Sequence, residues 1–88
     1  MTPLQLLLDR GFVDANVPIN GTVLAKDNLI LVLSSRPKDT EIRIQKFSGP
    51  LDQFSHKLAL GTQIKVTIRL DDANWSDKLL EFAELVVT

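Results

Sequence analysis

The chain has no cysteine and no tyrosine, and only one histidine, one tryptophan and one methionine. Without cysteine there is no disulfide framework and no thiolate metal site, a composition that suits a reducing compartment. The single histidine, His56, lies between Ser55 and Lys57. Adjacent residues on a helix diverge, so Ser55 and His56 do not form a nucleophile–base pair. No glycine-rich phosphate cradle is present, so neither an enzyme nor a cofactor is expected. The run Asp71, Asp72, Asn74 and Asp77 lacks the glycine and the spacing of a calcium loop, and no metal is expected there. Long apolar runs are also missing. The longest, Leu29 to Leu33, has five residues, far too few to cross a membrane. In MTPLQLLLDR the only apolar run is Leu6 to Leu8, with no basic segment before it, which makes a poor signal peptide. The expectation is a cytoplasmic chain without a membrane contact.

What is present is a hydrophobic fraction of 44% over 88 residues, enough apolar material for one small core and hence one domain, 1–88. The net charge of −1 hides an uneven distribution: residues 1–20 carry −1, residues 21–70 carry +4 and residues 71–88 carry −4. A mildly basic body joined to an acidic end is either a binding face or ordinary solvated surface.

Thr2 followed by Pro3 reads as a helix start, hydroxyl cap then proline at the first position, and Gly11 as its end. A short helix over 3–10 follows, with Leu4, Leu7 and Leu8 on one stripe. The stretch INGTVLAKDNLILVLSS reads as strands at 19–25 and 29–34 around a Lys26-Asp27-Asn28 turn. The second strand is apolar on both faces, so it should be central or covered by a helix. Pro37 blocks continuation through SSRPKD. TEIRIQKF, 40–47, alternates, with Ile42 and Ile44 inward and Arg43, Gln45 and Phe47 outward; Lys46 breaks the pattern and suggests an end or a bulge. SGPLDQFSHKLALG is bounded by Ser48 or Gly49, Pro50 and Gly61, and Leu51, Phe54 and Leu58 share a helical face over 50–58. Residues 62–70 alternate again, Ile64, Val66, Ile68 and Leu70 against Lys65, Thr67 and Arg69. At the end, Trp75, Leu79, Phe82 and Val86 have helical spacing, but the terminal Val-Val favours a strand at 81–87.

Three strands, a helix and two strands after an N-terminal helix resemble the order of the OB-fold, the five-stranded oligonucleotide/oligosaccharide-binding barrel. FSGPLDQFSHKLALGTQIKVTIRL is similar to the part of OB domains where a helix plugs the barrel and a turn feeds an alternating strand, and LLEFAELVV to the closing strand. The similarity covers about residues 17–87 and carries no diagnostic motif. A second, weaker resemblance is to Sm-like, SH3-type barrels, through the N-terminal helix and NGTVLAKDNLILVL; those chains have no helix like 50–58. The expected fold is therefore mainly β with short helices: a five-stranded OB-like barrel over 19–87, with an N-terminal helix and a helix between strands three and four.

The OB resemblance implies a binding face for single-stranded nucleic acid, where cations follow phosphates and rings stack on bases. Arg43, Phe47, Lys65 and Arg69 would form that face, with Arg36 and Lys38 as a basic loop. The alternative is a protein-interaction subunit, contacting a partner protein or another copy of itself through Leu4 and Leu8 of the first helix and through Trp75. The composition leans that way. Aromatic residues make up only 6% of the chain and its net charge is negative, whereas binders of single strands are usually richer in both rings and cations.

Overall fold

A computed structural model of the chain describes residues 2–35, 40–60 and 64–84. A five-stranded antiparallel sheet, in which sequence neighbours are also spatial neighbours, carries three helices. Helix α1 spans Pro3–Asp9 and is followed by β1 (Val13–Asp14), β2 (Thr22–Lys26), β3 (Leu29–Ser35) and β4 (Glu41–Ser48). A 3-10 turn, Leu51–Gln53, leads into α2 (Phe54–Leu60); β5 (Ile64–Arg69) and α3 (Trp75–Glu84) complete the order.

The barrel expectation is corrected at both ends. Among the described residues the sheet is open, with β1 and β5 as its edges. The strand expected at 81–87 is helical as far as Glu84, and its last residues lie outside those described. The helical spacing of Trp75, Leu79 and Phe82 prevails over 75–84 because it docks α3 on the sheet, burying Leu79 and Ala83; packing of an apolar stripe is what stabilises so short a helix. The additional strand, β1, pairs Val13 with Ala25 and Asp14 with Leu24.

Antiparallel register explains how the two faces are used. On one face Leu24, Leu31, Leu33, Ile42, Ile44 and Ile68 meet Leu6, Leu7 and Phe12 from the N-terminal segment and Leu79 and Ala83 from α3. On the other, Val23, Ile30, Val32 and Phe47 lie under Phe54 of α2, flanked by Ala15 and Val17. The central strand β3 is apolar on both faces because both are covered. The stripe of α1 is shifted from the expected one: Leu6 and Leu7 are buried, while Leu4 and Leu8 stay 37% and 38% exposed. In α2 only Phe54 is buried; Leu51 and Leu58 are exposed.

Two turns depend on unusual backbone. Asp27, at φ 54°, closes the β2–β3 hairpin, in which Lys26 pairs with Leu29; a short polar side chain tolerates that region. Gly21, at φ 119°, precedes β2, and a Cβ there would sit 2.5 Å from the Leu33 carbonyl oxygen. Both the dihedral and the backbone clash oppose a side chain. Gly21→Ala is therefore expected to lower stability by about 1–3 kcal/mol, read as a drop in urea midpoint with an unchanged m-value.

Candidate interaction surface

The register of β4 and β5 settles where the polar residues lie. Arg43 is directly opposite Thr67, Gln45 opposite Lys65 and Glu41 opposite Arg69. Directly opposed residues share a face, so Arg43, Lys65 and Arg69 lie together on the sheet face away from α1 and α3. The remaining residues expected at this site divide. Phe47 is on the same face but buried, its ring edge-on to Phe54 with centroids 5.1 Å apart. The expectation of an outward, stacking ring at Phe47 is thus corrected: α2 covers that end of the face. Arg36 and Lys38 lie outside the described residues.

The cations do not stand alone. Arg69 donates from Nε and Nη2 to the two carboxylate oxygens of Asp71, at 3.1 Å and 2.9 Å. These hydrogen bonds hold the Asp71 carboxyl below the usual carboxylate range. Asp71 in turn makes Arg69 hold its proton more tightly, and Glu41 and Asp72 add a smaller pull. A fork-to-fork pair of this kind occupies the guanidinium geometry that a phosphate would use. Asp72 is lowered first by its bond from Lys78 and then by the Asn74 backbone N–H, so the acidic turn is tied to the start of α3.

The residues assigned to a protein contact are more dispersed. Leu4 and Leu8 flank the buried part of α1, and Trp75 is partly buried against the helix-side core at the first turn of α3. Phe12 is buried, with Lys26 Nζ 5.5 Å from its ring centre. His56 is exposed on α2. Among the described residues no group of three or more His, Asp or Glu side chains is placed to hold a metal ion, and no helix is long and apolar enough to cross a membrane.

A feature not anticipated from the sequence is the outer edge of β5. Leu70 N–H donates to the Thr40 carbonyl at 2.6 Å. In an antiparallel pair the direction of the main-chain groups alternates, so Ile64, Val66 and Ile68 turn theirs toward β4. Lys65, Thr67 and Arg69 turn theirs outward, where no strand pairs with them among the described residues. Beside this edge, between β5 and α3, runs a groove of about 290 Å³ lined by Val66, Thr67, Ile68, Lys78, Glu81 and Phe82. Ile64, on the same side of β5, is 41% exposed. Reading 81–87 as a strand concealed the groove; the helical spacing of Trp75, Leu79 and Phe82 was the signal that pointed to it. No family model matches this chain, and neither curated proteins nor solved structures give a match.

Proposed function

We propose that this protein is an interaction module that receives an extended polypeptide along the outer edge of β5. An apolar side chain of that segment would sit in the groove between β5 and α3. The observation that carries this reading is the adjacency of a strand edge that is unpaired among the described residues and a groove walled by Val66, Ile68 and Phe82 on the same two elements. Strand addition draws its affinity from main-chain hydrogen bonds and its selectivity from pockets for alternate side chains. Each new hydrogen bond contributes about 1 kcal/mol net, and one well-buried aliphatic side chain about 2 kcal/mol. After the cost of association, this implies a micromolar or weaker contact.

The test is selection of random linear peptides on the native protein, followed by titration against Thr67→Pro. Thr67 N–H is not used by β4, so proline there removes an outward donor while keeping the sheet. The expected result is at least a tenfold weaker affinity (about 1.4 kcal/mol or more) with a melt close to native. Undiminished binding by Thr67→Pro would remove the edge from the reading.

A second reading, single-stranded nucleic-acid binding across the outer face of β4 and β5, is favoured by the grouping of Arg43, Thr67 and Lys65 on one face. It is weakened by the burial of Phe47 and by the Asp71 partner of Arg69. Anisotropy of labelled DNA and RNA separates the two. Steeply salt-dependent binding that is lost in Arg43→Glu with Lys65→Glu, and kept in Thr67→Pro, would favour the second.

A further inference from the structure

We infer that a second copy of the chain occupies the β5 edge, with the two strands antiparallel about a two-fold axis through Val66. This rests on the strand-addition reading above and names the partner. In that arrangement Val66 faces Val66 of the other copy, Ile64 faces Ile68, and Lys65 faces Thr67. Apolar residues meet apolar residues on the helix side, and each Lys65 meets a threonine on the other side. The partly exposed Ile64 of one copy is delivered beside Ile68 and the groove under α3 of the other, and the same contact repeats in reverse. Such an isologous contact closes on itself rather than propagating.

Neighbouring registers are disfavoured by the same residues. A two-fold at Thr67 sets Lys65 directly against Arg69, and opposed like charges destabilise a strand pair. A shift of one residue puts cations on the apolar side and isoleucines on the polar side. Lys65 and Arg69 thus act as edge charges that block indiscriminate pairing, yet Lys65 falls opposite the neutral Thr67 in the Val66-centred register.

The test uses the full chain in sedimentation equilibrium from about 5 µM to about 500 µM, a range that spans the affinity expected of a small interface. A reversible monomer–dimer equilibrium is expected, weakened at least about tenfold by Ile64→Lys and by Thr67→Pro. The register is read with single cysteines, since the chain has none of its own. Because Val66 turns its main-chain groups toward β4, the two Val66 residues form a non-hydrogen-bonded pair with Cα atoms about 4.5 Å apart, within disulfide reach. Val66→Cys should cross-link readily under mild oxidation. Thr67→Cys and Lys65→Cys, placed diagonally at about 7–8 Å, should not. A dimer that survives Thr67→Pro, or that cross-links faster through Cys at 67 than at 66, would overturn the inference. A chain that stays monomeric while Thr67→Pro still abolishes peptide binding would overturn it too, leaving the strand-addition reading in place. A monomer that also binds no selected peptide would remove both.

Discussion

Phe47→Ala is expected to lower stability by about 3–5 kcal/mol, a large share of what so small a chain possesses. The ring is fully buried, meets Phe54 edge to face at 5.1 Å, and sits among Val23, Ile30 and Val32. Truncation forfeits the transfer of the ring from water and leaves a cavity that a sheet cannot readily close. For a domain of this length, that corresponds to a fall in Tm of roughly 15–30 °C. Phe47→Leu should cost less, about 1–2 kcal/mol, because most of the volume remains. Phe54→Ala should be nearly as damaging, since Phe54 is the one buried residue of α2. The two rings should be coupled by about 0.5–1.5 kcal/mol in a double-mutant cycle. Thermal melts of the single and double variants provide the check. A surface ring kept for stacking on bases would give a different pattern: Phe47→Ala would melt within about 0.5 kcal/mol of native.

Alternation made most of the sheet legible. Ile42 and Ile44, and Ile64, Val66 and Ile68, mark the helix-side face, and the two-faced apolar run Leu29–Leu33 marks the central strand. Alternation does not say whether the opposite face is also covered. Phe47 has the parity of Arg43 and Gln45, yet the end of the face where it lies is closed by a helix that contributes only Phe54. β1 was illegible for a simpler reason: two residues, Val13 and Asp14, have no period. At the C-terminus two periods overlapped, and tertiary packing of Leu79 and Ala83 decided between them. Of the candidate site, the shared face of Arg43, Lys65 and Arg69 was readable from strand parity. The Arg69–Asp71 clamp was not, because it depends on how the chain turns after β5. That β5 is an edge strand among the described residues depends on what lies beside it, and no local pattern encodes that.

Lys46 broke the pattern of its strand for a reason that lies 36 residues away. The strand runs on through it to Ser48, and the side chain, 2% exposed, faces the helices. Its Nζ donates to the Phe82 carbonyl at 2.8 Å and lies 5.6 Å from the Phe82 ring centre. Phe82 is in the last described turn of α3, so the cation meets a main-chain carbonyl of that helix. Lys46→Glu should therefore cost about 3–5 kcal/mol, by burying a carboxylate that faces a carbonyl oxygen. Lys46→Met keeps the stem and loses the donor and the charge, an expected cost of about 1–2 kcal/mol. The pH dependence separates charge from packing. Burial pushes the Lys46 pKa below its ordinary 10.5. Between the folded and unfolded values the unfolded chain therefore holds more protons, and stability from this group rises with pH. Below the folded value its contribution is constant. The urea midpoint of the native chain should thus climb relative to Lys46→Met as pH approaches 10.5 from below. A gap between the two that stays flat across the alkaline range would mean that burial costs the charged lysine nothing, as for an ordinary surface cation.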